Sequence, residues 1–312
     1  LANAQEGETV KLLKDIAHGG VTVAQDLTLD LNGHTYTYES TGNAFSVKSG
    51  VTFSIVDNSE NQGGTVAVSK SAINSLVCTP SNSEGAVINI GEGVTLNGCA
   101  LLTGTNPTLN VYGTINTTGS RDAGIYNNGS STDNSTINLY DGAVIKANIL
   151  GVYHPGPGTL NVYGGAEITA GDVGIEMRAG TLNVYDGAVI TSTGTGEPSS
   201  APNGSGATSH NAAVAIAQHA TKLPVVFNAY GGTFTGSAAV YESNPEGNSD
   251  DVTEQIAINI ENGMFDGEVK SATQEGFISG GIFTVKPATK DIYPGLQAVE
   301  EGGNFTIARL QN

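Results

Sequence analysis

Charge is scarce in this 312-residue chain. Asp, Glu, Lys and Arg together make up 13% of it, about half the share usual in globular domains. Long charged side chains furnish the outer faces of helices, so their shortage argues against a mostly helical fold. Basic residues are scarcer still: 12 Lys and Arg stand against 30 Asp and Glu, a formal net charge of −18. Nucleic acid needs a basic stripe to displace its counterions, so it is excluded as a partner. Anionic membrane surfaces are disfavoured for the same reason. No apolar run approaches the roughly 18 residues of a transmembrane helix, so no membrane insertion is expected. The opening LANAQEGETV has neither the basic nor the apolar region of a signal peptide, and no wall-anchor sorting signal is found. A mature or trimmed chain is therefore expected. There are two cysteines, Cys78 and Cys99, without the CxxC spacing of a zinc site.

Glycine is abundant, 43 residues, and the polar remainder is Asn, Thr and Ser. These suit turns and the solvent side of strands. A repeat then emerges. TLNVYGGAEIT begins at Thr159 and TLNVYDGAVIT at Thr181. The same pattern runs through AVINIGEGVTLNG (86–98), TLNVYGTINTTG (108–119) and TINLYDGAVIKA (136–147). It continues, degraded, as VVFNAYGGTFTG (225–236), IAINIENGMFDG (256–267) and GFISGGIFTV (276–285). A fixed period in the range of 20–50 residues marks a solenoid or propeller. Within TLNVY, Leu and Val alternate with polar neighbours at the period of a strand. A bend, YGG or YDG, leads to a second alternating run, AEIT or AVIT. A third run precedes the motif: GIYN (124–127), GVYH (151–154), GIEM (174–177) and AAVY (238–241).

Three short strands in about 22 residues make one coil of a parallel β-helix. A propeller blade needs about 40 residues, and neither a leucine-rich LxxLxLxxN pattern nor a six-residue beat is present. The expectation is an all-β, right-handed parallel β-helix of about ten coils, on the order of 50 Å long. Stacking puts like over like. Leu109, Ile137, Leu160, Leu182 and Phe227 form one inward column, and Val111, Leu139, Val162, Val184 and Ala229 the next. The asparagines at 89, 110, 138, 161, 183, 228 and 259 form an outward or bend-side ladder. Tyr112, Tyr140, Tyr163, Tyr185 and Tyr230 form an aromatic one. Cys78 and Cys99 lie 21 residues apart, one coil, which makes them disulfide candidates as vertical neighbours; two buried thiols are the alternative.

The whole chain reads as one β-helix domain: N-terminal coils and cap over 1–60, repeat coils over 61–285, and a C-terminal cap over 286–312. Loop insertions fall at 191–211 and 242–255. Both ends carry further patterns. VKLLKDI (10–16) with LTLDLNGHT (27–35), and GGIFTVKP (280–287) with GLQAVEEGGNFTI (295–307), resemble the opening and ending of large surface proteins of gut-type Gram-positive bacteria. Those proteins carry pectate-lyase-like parallel β-helix regions and are commonly multi-domain, wall-attached and adhesin-like. The resemblance implies an extracellular or cell-surface bacterial module, and a glycan or a host surface protein as partner.

Chemistry is harder to find. Glycoside hydrolysis needs two carboxylates facing one substrate, about 5–9 Å apart. The third-strand column reads Tyr126, Tyr153, Glu176, Ala215, Tyr241, with a single acid, so Glu176 is the best catalytic candidate if the chain is an enzyme. Asp141 and Asp186 sit in YDG bends, where Asp is a turn former. A polysaccharide lyase needs cationic groups, and the arginines are only Arg121, Arg178 and Arg309. Scattered Asp and Asn bends offer oxygen ligands for Ca²⁺, but no pattern singles out a cation, and no cofactor is implied. His154 and His219 read as exposed residues rather than zinc ligands. The best local cluster is Tyr126, Asn127, Tyr153, His154, Glu176 and Arg178, expected on one face of three successive coils. Rings beside hydrogen-bonding groups suit a sugar. The plainer alternative has the tyrosines covering a strand edge and Glu176–Arg178 as an exposed ion pair. The expected function is a non-enzymatic, adhesin-like β-helix module. The alternatives are a β-helix carbohydrate-active enzyme and a spacer without ligand.

Overall fold

The computed structural model describes residues 4–69, 73–117, 123–127, 134–202 and 208–310. They form a right-handed parallel β-helix. One sheet holds ten parallel strands, from Glu8–Lys11 to Ile256–Ile260, so the rod has about the ten coils that the repeat implies. The other two faces join into one larger network, because late coils run them together: Thr233–Glu242 and Met264–Ser271 each serve both faces as one long strand.

The register is that of the repeat. Leu109 pairs with Ile137, Ile137 with Leu160, Leu160 with Leu182, and Leu182 with Phe227. The adjoining Val111, Leu139, Val162, Val184, Ala229 column stacks in step. Every one of these side chains is fully buried, because a strand with period-two alternation points all its apolar residues to one side. The second face adds an inward column of Leu96, Ile115, Ile145, Ile168 and Ile190. It ends in a stack of Phe234, Phe265 and Phe283, with ring centroids 4.7 and 4.9 Å apart.

Outside, the asparagines form a directional ladder. Each Nδ2 donates to the Oδ1 of the coil before it, from Asn110 to Asn89 up to Asn259 to Asn228, at 2.8–2.9 Å. The ladder lies on the outward side of the first face. The tyrosines stack beside it, and their rings lie nearly parallel from Tyr112 to Tyr185. The bend that follows Tyr140, Tyr163 and Tyr185 is a tight turn: Ala143 N donates to Tyr140 O at 2.9 Å, and Gly142 sits at φ +83°. Gly165 and Gly187 repeat that angle. The left-handed region is open to glycine and costs other residues energy, which is why these three bends keep YxG while the middle residue varies.

Residues from Glu8 onward are already coil strands. At the other end, Leu296–Glu301 and Asn304–Arg309 form an antiparallel hairpin against Ile282–Phe283. Phe305 and Ile307 of this hairpin pack on the core, where it covers part of the last coil. The 242–255 insertion contains a single helical turn, Asp250–Thr253.

The disulfide expectation fails. Cys78 and Cys99 are buried thiols with no bond between them. Cys78 stands in register with Leu101, 23 residues on, and with Ser46 in the coil before. Its Sγ lies 3.3 Å from Ser46 Oγ. Coil lengths differ through their bends, so equal spacing in sequence is not equal position around the rod.

Candidate functional site

The third face carries the column read from the sequence. Tyr126 pairs with Tyr153, Tyr153 with Glu176, Glu176 with Ala215, and Ala215 with Tyr241. Leu101 precedes the column and Lys270 follows it. Arg178, two residues beyond Glu176, points to the same outer side.

Asn127 and His154 do not join them. Alternation along the strand sends both inward, toward the rod axis. Asn127 is in register with Leu102, and His154 with Met177, both members of the main core. Asn127 Nδ2 donates to Ser135 Oγ at 2.9 Å. His154, expected to be exposed, is fully buried. Its Nδ1 lies 3.0 Å from Ala179 O. A carbonyl only accepts, so Nδ1 carries the proton and Nε2 is left as an acceptor. Burial pushes the imidazole pKa down to about 4, although the bond to Ala179 favours the charged form. This histidine is neutral at neutral pH.

At Glu176 and Arg178 the outer side of the face is not open, although Leu101, Tyr126, Tyr241 and Lys270 along the same column are partly or fully exposed. Glu176 and Arg178 are both fully buried, which corrects the expectation of an exposed ion pair. Arg178 Nε donates to Glu176 Oε1 at 2.7 Å. The cover is the first insertion, in which Ser199–Ser200 and Ser209–His210 form a two-stranded antiparallel ribbon. Arg178 Nη2 donates to Ala201 O at 3.1 Å and also to Thr208 Oγ1. The Glu176 carboxylate accepts from Thr208 N at 3.2 Å and Ser209 N at 3.4 Å. At its end the insertion is tied back to the rod, where Asn211 N donates to Asp172 Oδ1 at 2.7 Å and His210 meets Asp172 Oδ2 at 2.6 Å. Beneath and beside the ribbon lies a satellite apolar cluster of Leu150, Tyr153, Val173, Ala212, Ala215 and Ala238. Such clusters characteristically lie under long loops. The small residues at 212, 215 and 238 were the one sequence signal that this face is covered.

The sequence reading also missed a buried acid. Glu242 occupies an inward position in register with Ile216 and Ser271. Its Oε2 accepts from Ser271 Oγ at 2.6 Å and from the backbone N–H groups of Ala272 and Thr273 at 2.9 Å; Thr273 Oγ1 reaches Oε1 at 2.9 Å. With its acceptor sites filled, it is a staple holding the turn after residue 271. Next to that turn lies an open hollow of about 400 Å³ lined by Asp250, Thr253, Glu254, Ala272, Thr273 and Gln274. Its two acids, Asp250 and Glu254, are exposed. Among the described residues no group of three or more His, Cys, Asp and Glu is placed to hold a metal ion. No helix there is long and apolar enough to cross a membrane. Arg121 lies outside the described residues.

No family model, no curated protein and no solved structure matches this chain. The functional reading therefore rests on the residues themselves.

Proposed function

We propose that this chain is a non-catalytic, adhesin-like β-helix module of a secreted or surface-displayed protein, with a glycan or a host surface protein as its ligand. One observation carries the reading. Glu176, the acid best placed on the face where β-helix chemistry is expected, is buried under the chain's own insertion and neutralised by Arg178. A general acid must reach its substrate, and this carboxylate reaches only its own protein.

Two surfaces suit a hydroxyl-rich or polar partner. The first face is a flat outward array of Thr and Asn rows edged by the tyrosine ladder. The hollow by the second insertion is concave and polar, with Thr253, Thr273 and Gln274 among its walls. Sites of this kind bind through a few placed polar groups.

The enzyme alternative retains one specific support. Asp250 and Glu254 stand four residues apart across the helical turn, where Cβ atoms are about 5–6 Å apart, and both line that hollow. Glycosidases, however, raise the pKa of their acid by burial, and these two carboxylates are exposed.

The test is a glycan and host-protein binding array run on the native chain, Tyr163→Ala and Glu254→Gln. Binding that weakens in either variant supports the adhesin reading and locates its surface. The absence of any binder would leave a spacer, and the proposal would fail.

A further inference from the structure

Five tyrosines form one column on the outside of the rod, and the adhesin reading uses them only as the edge of a binding surface, with no role for their stacking. Ring centroids are 4.5 Å apart for Tyr112–Tyr140, 5.1 Å for Tyr140–Tyr163, 5.0 Å for Tyr163–Tyr185 and 5.5 Å for Tyr185–Tyr230. The first three pairs lie within 10° of parallel, and the last is tilted by 28°. The rings are half-buried, and Tyr230 at the end is 41% exposed. The column ends where Gly91 and Glu261 take the equivalent positions. The backbone fixes the spacing: each tyrosine N–H donates to the preceding coil, as Tyr140 N does to Val111 O and Tyr163 N to Leu139 O, both at 2.9 Å.

We propose that this ladder is an oxidative cross-linking site, at which neighbouring tyrosines couple into dityrosine and staple successive coils covalently. Two features of the column favour it. Stacked rings with centroids 4.5–5.5 Å apart keep each phenol beside its neighbour, so coupling needs no diffusional encounter. The rings are open to an oxidant along their outer edge.

The chemistry balances with a peroxide as oxidant and a peroxidase to deliver it. Each of two phenols gives up one electron and one proton, and together they reduce one hydrogen peroxide to two waters. The two phenoxyl radicals carry spin on their ortho carbons, and a carbon–carbon bond forms between these. The ortho hydrogens then return to the oxygens, restoring both phenols. Each staple removes two hydrogen atoms from the mass of the chain. A half-exposed column leaves the rings room to turn about χ1 and χ2 into the biaryl geometry.

Of the six remaining tyrosines, Tyr241 stands in register between Ala215 and Lys270, and the other five provide the contrast. Tyr36 and Tyr38 are buried at 1% exposure, and Tyr293, at 57%, has no stacked ring neighbour among the described residues. Tyr126 and Tyr153 are register neighbours, but Tyr153 is buried in the satellite cluster.

The experiment treats the native chain with hydrogen peroxide and a haem peroxidase at low protein concentration. Intact mass, dityrosine fluorescence and peptide mapping are then read on the monomer fraction. The expected result is monomer lighter by two hydrogen atoms per bond, with joined peptides containing 112–140, 140–163 or 163–185, and 185–230 the least. The double variant Tyr140→Phe/Tyr185→Phe keeps the stacking rings but leaves Tyr112, Tyr163 and Tyr230 with no adjacent phenol. Its circular dichroism should match the native chain, and its intramolecular dityrosine should vanish. Native chain that gives no dityrosine, only intermolecular dimers, or a double variant that cross-links as well as the native one, would each overturn the proposal.

Discussion

Replacing Asn161 in the middle of the asparagine ladder tests both its contribution and its direction. Asn161 Nδ2 donates to Asn138 Oδ1, and Asn161 Oδ1 accepts from Asn183 Nδ2, both at 2.9 Å. Asn161→Ala removes both bonds. At about 1 kcal/mol each, the loss is about 2 kcal/mol. Asn259 stands at the exposed end and donates to Asn228 at 2.8 Å, so Asn259→Ala should cost less than about 1 kcal/mol. Asn161→Asp is the sharper perturbation. Its carboxylate still accepts from Asn183, but at Asn138 it sets one acceptor against another. Protonation restores a donor there. Its carboxyl is therefore held above the ordinary value of about 3.9. Such a group contributes stability that is present below its unfolded pKa and lost as pH rises through its folded pKa. Urea melts at pH 7 and pH 4 provide the assay. The loss in Asn161→Asp should shrink on acidification relative to Asn161→Ala at the same pH. Equal losses for Asn161→Ala and Asn259→Ala, or an Asn161→Asp deficit that does not change with pH, would refute the directional ladder.

Other consequences follow from the same geometry. Folded His154 protonates only near pH 4, against 6.5 for the unfolded residue, so its contribution is present above pH 6.5 and is lost as pH falls through that window. The full difference is worth about 3 kcal/mol, and His154→Met should flatten the stability–pH curve between pH 6.5 and 4. Arg178→Met strands a buried carboxylate and should cost about 3–5 kcal/mol in urea melts, whereas Arg178→Met combined with Glu176→Leu should recover much of that loss. A Cβ at Gly174 would meet Ala213 O at 2.5 Å and Ile190 Cγ2 at 2.6 Å. Gly174→Ala should therefore destabilise by about 1–3 kcal/mol, while the same change at exposed Gly63, whose added Cβ meets nothing within 4 Å and whose φ is not positive, should cost less.

Much of this molecule is legible in its sequence because a solenoid converts spacing into height. The columns through Leu160 and Val162, the tyrosine ladder and the order Tyr126, Tyr153, Glu176, Ala215, Tyr241 follow from alternation and the repeat alone. What spacing does not encode is where an irregular segment lands. The insertion after Ile190 folds back over Glu176 and Arg178, and that tertiary choice turns a candidate acid into a buried structural ion pair. Parity was the second difficulty. Tyr153 and His154 are adjacent in sequence, yet one belongs to the outer cluster and the other to the core wall. The cysteines illustrate the third: bends of unequal length shift the phase around the coil, so Leu101, not Cys99, stands beside Cys78.

The proposed function holds that the covered Glu176–Arg178 stretch of the third face does no acid chemistry and that the rod serves as a non-catalytic module. The most direct measurement is polysaccharide depolymerisation, following reducing and unsaturated ends over a panel of neutral and acidic polysaccharides. The native chain, Glu176→Gln and Glu254→Gln would be compared. The prediction is that none of the three releases ends above the protein-free blank. End formation by the native chain that disappears in either variant would contradict it and make this protein an enzyme.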